Sequence, residues 1–192
     1  IPTQENDGWN TASLSSVGMG DNLLENLVVK INLGIYGEVH AVLIVKDNKL
    51  VFEEYWSGHD FSFSDPYYHG RSVDFDMDTR QNTHSTTKSF TSALVGIAID
   101  QGIIHTKDDI IFDYLPESYS DLKNQGRENI TIEHCLKMAS GLDWNEWDVG
   151  LRSGDHDIIN FNSSTDPIRY LLSKSVVTEP GSSFYYNGGT VD

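Results

Sequence analysis

The stretch Ser85-Thr86-Thr87-Lys88 opens the longest apolar run of the sequence, from Phe90 to Ile99. A serine and a lysine three residues apart lie on the same face of a helix. If the helix begins at Ser85, the serine hydroxyl lies at the positive end of the helix dipole, and the Lys88 amine one turn further on can share or take its proton. Such a pair is chemically sufficient for acyl transfer. The stretch therefore predicts a helix that begins with a serine nucleophile.

The tetrapeptide has a plainer interpretation, in which a serine caps a helix and a lysine is solvated. The same spacing recurs at Ser120-Asp121-Leu122-Lys123. The second occurrence lies in a polar stretch, whereas the first is followed by Phe90, Leu94 and Ile97 at helical spacing. Apolar residues also occupy the other faces of this helix, which predicts that it is buried in the centre of the protein.

Composition and charge exclude several classes of partner. The chain has 192 residues and a formal charge of −16, with 13 Lys and Arg against 29 Asp and Glu. Nucleic acid and anionic membrane surfaces are therefore unfavourable partners, because both require a basic surface. No apolar segment approaches the length of a membrane span, so we expect a soluble protein.

The sequence leaves the compartment open. It begins at Ile1 rather than Met, which is compatible with removal of a leader and a periplasmic or secreted location, and equally with trimming. The single cysteine, Cys135, cannot form an internal disulfide, and its helical context predicts a buried, inert thiol.

The N-terminal part of the chain predicts one helix and one hairpin. A helix is expected from Asn22 to Ile31, with Asp21 as its cap, and residues 39–45 and 50–56 are expected to form a β-hairpin. Residues 58–81 have no sustained period and predict a long irregular crossing. We therefore divide the chain into a helix-and-hairpin part of a sheet subdomain at 1–57, a crossing at 58–79 and a mostly helical subdomain at 80–192.

The C-terminal part of the sequence predicts further helices at 130–138, with Thr131 as cap, and at 167–174.

Two groups of residues could in principle bind a metal ion, but neither matches a known metal-binding pattern. The alternating Asp74, Asp76 and Asp78 lack the glycine and glutamate of a calcium loop, and Asp155-His156-Asp157 lacks a further ligand at a recognisable spacing, which favours a surface turn. No metal or cofactor is expected.

Four features in this order resemble the serine β-lactamase and penicillin-binding-protein superfamily, and in particular its class C-like branch, which includes serine esterases. They are the early helix and hairpin, Ser-x-x-Lys before an apolar helix, the Leu-Lys-Met-Ala-Ser-Gly-Leu stretch at 136–142, and the loop from Pro180-Gly181 to a tyrosine. The resemblance implies an α+β fold of the β-lactamase/transpeptidase type, in which helices flank an antiparallel sheet that is incomplete in this chain. It also implies that Ser85 is acylated and that Lys88 shares its proton.

The resemblance further implies a tyrosine that acts as general base and protonates the leaving group. The usual offset from the Pro-Gly pair selects Tyr186, whereas a strict Tyr-x-Asn match selects Tyr185. We favour Tyr186, because Pro180 and Gly181 fix the conformation of the loop, and keep Tyr185 as the alternative. Asn187 and the loop residues Trp144 and Trp147 are candidate substrate-binding residues, although a core or lid role for the tryptophans is equally compatible with the sequence.

One expected motif is absent from the sequence. Members of this superfamily have a Lys- or His-led tripeptide ending in Gly, on a strand beside the nucleophile, and nothing after Tyr186 matches it. We therefore expect these residues to be the N-terminal part of a longer protein, whose remainder, or a second chain, completes the sheet.

The expected function is hydrolysis of small acyl esters. A β-lactamase or D,D-peptidase-like amide hydrolase is the alternative, and a non-catalytic binding relative is the alternative from another class. The exact substrate and the oligomeric state cannot be read from the sequence.

Overall fold

The computed structural model describes residues 1–191. It contains small β-sheets and several helices, which confirms the α+β class. The chain divides into two compact units, Ile1–Asn82 and Thr83–Asp192. The N-terminal unit holds all the strands of the described chain, and the C-terminal unit is mainly helical.

The N-terminal unit is built on a three-stranded sheet. Strands β2 (Ala41–Lys46) and β3 (Lys49–Tyr55) are antiparallel, and the short β1 (Asn10–Thr11) pairs in parallel with β3, giving the order β1-β3-β2. The turn residues Asp47 and Asn48 both have positive φ, 51° and 57°. Two consecutive positive φ values are typical of the tight turns that match strand twist, so the predicted hairpin is confirmed.

Helix α1 (Asn22–Asn32) agrees with the helix expected from the sequence. Asp21 occupies the N-cap position, as predicted, but its side chain makes no capping hydrogen bond. The helix buries Ile31, and the sheet buries Leu50 and Val51. These three side chains, together with Val17 and Phe75, form the apolar core of the unit.

The predicted irregular crossing is wrong over much of its length, because residues 57–74 contain a second hairpin. Its strands are β4 (Ser57–Phe61) and β5 (His69–Asp74), which pair antiparallel with an irregularity between His59 and Phe61. Polar cross-strand contacts connect the strands, and at the end of the hairpin the Phe61 ring stacks on the Tyr68 ring with 5.5 Å between centroids. Ser57 donates to Asp74 at 2.6 Å, and Arg71 pairs with Asp60. Such strands lack the alternation of apolar residues from which strands are usually predicted.

A carboxylate just before β2 ties this hairpin to the rest of the unit. The backbone N–H and the Nδ1 atom of His59 lie 2.9 Å and 2.5 Å from the two carboxylate oxygens of Glu38. The hydrogen bonds from the His59 backbone and side chain lower the pKa of Glu38 to about 2. Glu38 is therefore ionised throughout the neutral range.

In the C-terminal unit, a 3-10 turn (His84–Thr86) leads directly into helix α2 (Thr87–Asp100). The helix ends as predicted, with Gly102 at a φ of +71°. The prediction of central burial is wrong for the described chain. No residue of α2 is buried, and Phe90, Leu94 and Ile97 of this helix are 63%, 63% and 51% exposed. An apolar helix becomes buried only where other elements cover it, and residues 1–191 do not supply that cover.

Besides α2 and several 3-10 turns, the C-terminal unit contains three short α-helices among its described residues. They are α3 (Ile132–Leu136), α4 (Asp157–Ser163) and α5 (Pro167–Leu172). The predicted cap of α3 is confirmed, since Thr131 accepts a hydrogen bond from the His134 N–H at 3.2 Å. The buried apolar residues of this unit are Phe112, Ile130, Ala139, Leu142, Trp144, Phe161, Leu172 and Val191.

The predicted surface turn at Asp155-His156-Asp157 is wrong, because His156 and Asp157 are only 2% and 4% exposed. Asp157 begins α4 and accepts hydrogen bonds from the Asn145 N–H at 2.7 Å and the Tyr170 hydroxyl at 2.5 Å. It also pairs with Lys174. Burial raises the pKa of Asp157, but Lys174 and the hydrogen bonds lower it by more, so the net shift is downward.

Replacing Lys174 by methionine is expected to destabilise the protein by about 3 kcal/mol near neutral pH, because it leaves Asp157 buried without its cation. The lowered pKa of Asp157 means that the pair stabilises the fold above its ordinary pKa and loses this effect as the pH falls through the lowered value. The stability gap between the wild type and Lys174→Met should therefore narrow below about pH 4. Urea unfolding of both proteins at a series of pH values measures this difference in the free energy of unfolding.

Lys123→Met provides the matched control, because Lys123 pairs with Asp113 at 3.5 Å between two largely exposed side chains. An exposed pair of this kind contributes about 1 kcal/mol or less. Equal losses in the two variants, or a gap for Lys174→Met that does not change with pH, would contradict the role given to the buried pair.

Two further sequence-based expectations concern the surface of the protein. No helix among the described residues is both long enough and apolar enough to cross a bilayer. Cys135 is a free cysteine of intermediate exposure, and burial raises the pKa of its thiol to about 12. The thiol is therefore protonated at neutral pH, as expected for an unreactive cysteine.

Candidate active site

Ser85 lies in the 3-10 turn that precedes α2, and it is exposed to solvent. The residue before it, His84, has a φ of +44°. This left-handed conformation is uncommon for a residue other than glycine, and such strained residues cluster at functional sites. Lys88 follows in the first turn of α2 and is partly buried. The nearly continuous helical backbone keeps the serine and the lysine on one face.

The structure brings one tyrosine to this serine from the far end of the chain. The Tyr186 hydroxyl donates a hydrogen bond to Ser85 Oγ at 2.7 Å, across 101 residues of sequence. The ring of Trp147 packs edge-on against the Tyr186 ring, with 5.4 Å between their centroids. Ser85, Lys88 and Tyr186 are thus a nucleophile, a cation and a phenol in one region of the C-terminal unit.

Tyr185 has a different environment. Its hydroxyl lies 3.5 Å from the Asp148 carboxylate. Burial, and then the charge of Asp148, raise the pKa of Tyr185. A phenol whose deprotonation is disfavoured is a poor general base. Of the two candidate tyrosines, Tyr186 is the one whose hydroxyl contacts Ser85.

The tyrosine loop is held by the segment that follows α3. The N–H of Gly181 donates to the Ala139 carbonyl at 2.7 Å, and the N–H of Tyr185 donates to the Met138 carbonyl at 2.9 Å. Gly181 has a φ of +84°, and a Cβ atom there would lie 2.6 Å from the His134 ring. A glycine is therefore required at this point for the loop to approach α3 closely.

The next segment is fixed in the same way. The N–H of Val177 donates to the Gly141 carbonyl at 2.8 Å. A Cβ atom on Gly141 would lie 2.1 Å from the Thr178 carbonyl oxygen, and its φ is +76°. The 136–142 stretch and the segment that leads through the Pro-Gly loop lie far apart in the sequence. Their backbones are in direct contact, and this contact supports the loop that carries Tyr186.

A family model described as Beta-lactamase matches residues 38–192, which is most of the chain and includes Ser85, Lys88 and Tyr186. The chain belongs to the beta-lactamase family. The superfamily resemblance inferred from the sequence is thus confirmed, and so is the expected fold.

Two individual proteins are similar to this beta-lactamase-family chain. An uncharacterized protein of Alkalihalophilus pseudofirmus is 35% identical over 102 residues, which cover 53% of this chain and 28% of that protein. A Bacillus anthracis protein that is named a 6-aminohexanoate-dimer hydrolase has a similar structure, with a TM-score of 0.57 and 18% identity, over 83% of this chain and 39% of the other. The chain therefore spans less than half the length of each of these relatives.

The candidate binding residues of this beta-lactamase-family chain have different exposures. Trp147 is 68% exposed beside Tyr186, whereas Trp144 and Asn187 are both 2% exposed. The Oδ1 atom of Asn187 accepts from the Thr190 N–H at 3.2 Å and so caps the short 3-10 turn at 188–190. Trp144 packs edge-on against Phe161 with 6.2 Å between ring centroids. A role in substrate binding stays a prediction for all three residues.

Glu146 is a residue that sequence reasoning missed. One of its carboxylate oxygens accepts hydrogen bonds from the Trp144 indole N–H at 2.7 Å and from the Gly188 N–H at 2.8 Å. It therefore connects the tryptophan loop to the residues that follow Tyr186. Its position between Trp144 and Trp147 is the only sequence signal, and it is too weak to assign this role in advance.

A cavity of about 640 Å³ adjoins the tyrosine loop in the same unit. Trp144, Phe184 and Tyr185 provide apolar lining. Among the described residues that line it, the carboxylates belong to Asp143, Asp148, Asp155 and Asp157, and Lys174 is the only lysine or arginine. Because Lys174 is paired with Asp157, the cavity favours neutral or cationic ligands over anionic ones.

Proposed function

We propose that this chain carries the acylation site of a serine hydrolase and that its substrates are small carboxylic esters. The observation that carries the proposal is the 2.7 Å hydrogen bond between the Tyr186 hydroxyl and Ser85 Oγ, with Lys88 one helical turn after the serine. A nucleophile in contact with a phenol that can lose its own proton and then act as a base is an arrangement suited to covalent acyl transfer.

The reaction follows from these groups. The positive charge of Lys88 stabilises the deprotonated form of the Tyr186 phenol. The phenolate oxygen accepts the proton of Ser85 as Ser85 Oγ attacks the ester carbonyl carbon. The tetrahedral intermediate then collapses, the C–O bond to the alcohol breaks, and Tyr186 returns the proton to the leaving oxygen. In the second half of the reaction, the phenolate takes a proton from a water molecule as that water attacks the acyl carbon. The bond from this carbon to Ser85 Oγ then breaks, the acid leaves, and Tyr186 returns the proton to Ser85 Oγ.

Ser85, Lys88 and Tyr186 are not among the residues that line the cavity beside the tyrosine loop, so its charge bears on the choice only for a substrate that extends into it. For such a substrate, the charge supports esters over β-lactams and peptidoglycan stem peptides. β-Lactams and peptidoglycan stem peptides carry a free carboxylate, and four aspartates line that cavity. Moving an anion into such surroundings is unfavourable. A neutral acyl ester meets no such penalty, and the rings of Trp144, Phe184 and Tyr185 offer it apolar contacts.

A second candidate is the hydrolysis of amides, as in a β-lactamase or a D,D-peptidase. The name of the Bacillus anthracis structural relative, a 6-aminohexanoate-dimer hydrolase, favours a linear amide within this class. The cationic amino end of such an amide would suit the acidic cavity, whereas its carboxylate end would have to lie outside it. The third candidate is a binding protein that retains the fold without turnover.

A substrate panel distinguishes these functions. The panel consists of p-nitrophenyl acetate and butyrate, the cephalosporin nitrocefin, a peptide ending in D-Ala-D-Ala, and the linear dimer of 6-aminohexanoate. We expect a burst of one equivalent of p-nitrophenol followed by steady turnover. Faster turnover of nitrocefin or of either amide would assign the amide class, and no burst with any substrate would leave only the binding role.

We also propose that additional chain covers the apolar face of α2, supplied by the rest of the same protein or by a second polypeptide. The support is the exposure of Phe90, Leu94 and Ile97 at more than half of their surface each, since apolar patches of this kind mark interaction surfaces. Residues 1–192 expressed alone should then bind the dye ANS and self-associate on size-exclusion chromatography. A monodisperse monomer that binds no dye would contradict this proposal.

A further inference from the structure

Three potential metal ligands meet in the N-terminal unit, although they lie far apart in the sequence. The ligand atoms of Glu38, His59 and His69 all lie within 4.8 Å of one another. Glu38 precedes β2, His59 lies in β4 and His69 begins β5. No sequence pattern groups these three residues, because their separations match no short metal-binding motif.

The carboxylate of Glu38 is held in a fixed orientation. Its Oε2 atom accepts the His59 backbone N–H at 2.9 Å, which leaves Oε1 directed at His59 Nδ1, 2.5 Å away. The Nε2 atom of His40 lies 3.7 Å from Oε2, and it is buried without a hydrogen-bond partner among the described residues. A carboxylate oriented in this way by neighbouring groups resembles the supported ligands of metal sites.

The two histidines are arranged face to face. The rings of His59 and His69 stack with 4.5 Å between centroids and 1° between their planes. Each ring offers one nitrogen that lies within 4.8 Å of a Glu38 carboxylate oxygen and of the other ring's nitrogen. Glu38 and His69 are exposed, so an ion and a water ligand can reach the cluster from solvent.

We propose that Glu38, His59 and His69 bind one divalent transition-metal ion, with Zn²⁺ as the best fit, and that water completes the coordination. Two histidines and one carboxylate with a water is a donor set that Zn²⁺ takes in proteins, with bonds of about 2.0–2.2 Å. The ion replaces the hydrogen bond between Glu38 Oε1 and His59 Nδ1. It also draws the two rings together and tilts them, because imidazole lone pairs lie in the ring plane.

The site has a structural consequence within this unit. The ion links the segment before β2 to both strands of the β4–β5 hairpin, which otherwise depends on polar contacts. Binding to the folded form alone raises its stability by mass action. The proposal is independent of Ser85 and of the hydrolase function.

The test uses protein from which metal ions have been removed with EDTA. Isothermal titration calorimetry with ZnSO₄ measures binding, and thermal unfolding with and without ZnSO₄ measures the effect on stability. We expect one equivalent of Zn²⁺ to bind and to raise the melting temperature. His69→Gln should weaken binding by at least about tenfold and remove the thermal shift, and Co²⁺ should give the absorption bands of four-coordinate cobalt with the wild type but not with this variant.

His105→Ala is the matched control, because His105 is an exposed histidine of the other unit. It should bind Zn²⁺ like the wild type, and the circular dichroism of His69→Gln verifies that this variant is folded. The proposal is overturned if the wild type binds no Zn²⁺. It is also overturned if folded His69→Gln binds as tightly as the wild type, which would mean that the ion associates with the acidic surface in general.

Discussion

Replacing Ser85 by alanine is expected to lower ester hydrolysis by roughly 10⁴–10⁶-fold, the loss typical of removing an acylated serine. The expected loss is this large because no other group can form the acyl-enzyme in the proposed mechanism. The Ser85 side chain is exposed, so its removal should leave the fold unchanged. Steady-state rates with p-nitrophenyl butyrate and the free energy of unfolding measure both effects.

The control for this prediction lies in the sequence itself. Ser120 is followed by Lys123 at the same spacing, and it is exposed in a 3-10 helix at 117–122. Ser120→Ala should keep the full rate, because this serine lies in a polar surface helix and the Tyr186 hydroxyl donates to Ser85 instead. If Ser120→Ala loses activity and Ser85→Ala does not, the nucleophile has been assigned to the wrong motif.

Tyr186→Phe is expected to lower the rate of acylation by about 10²–10⁴-fold, since it removes a general base while it keeps the ring. The ring contact with Trp147 persists in this variant, so packing alone should be unaffected. Pre-steady-state measurement of the p-nitrophenol burst isolates the acylation step from the later release of the acid.

Tyr185→Phe is the matched comparison, because it removes the hydroxyl of the neighbouring tyrosine. That hydroxyl lies 3.5 Å from Asp148 and does not contact Ser85. We expect its burst rate to stay within a few-fold of the wild type. A large loss in Tyr185→Phe together with a normal burst in Tyr186→Phe would transfer the role of base to Tyr185.

The elements that the sequence predicted well are those with a strong local signal. The β2–β3 hairpin has β-rich strands on either side of a short polar turn, and α2 has an apolar run that begins after Ser85 and ends before Gly102. The Thr131 cap follows from a short-range hydrogen bond. In each case, neighbours in the sequence determine the structure.

The features that were missed depend on partners that are distant in the sequence. Strand β4 is stabilised by polar contacts to β5, so it has no apolar alternation to detect. Helix α4 contains asparagines, which are poor helix formers, and it depends on the burial of Phe161 and Asp157. The burial of α2 was predicted from its composition, yet burial depends on what covers a helix.

The residues of the candidate site could be recognised from local sequence patterns, but their contacts could not. Ser85 and Lys88 are recognisable from one tetrapeptide, and Tyr186 from its offset after Pro180-Gly181. The contact between Ser85 and Tyr186 depends on backbone hydrogen bonds from the tyrosine loop to Met138 and Ala139, which no local pattern encodes. The same holds for Glu146, whose two hydrogen bonds exist only after the loops have met.

The central claim is that Ser85 is the acylated residue, and covalent labelling tests it most directly. The protein is treated with a fluorophosphonate, digested, and mapped by peptide mass spectrometry. We predict a single adduct, on Ser85, that forms with the same dependence on time as the loss of esterase activity. An adduct on another serine such as Ser120, or continued turnover by protein that carries no adduct on any serine, would contradict the account.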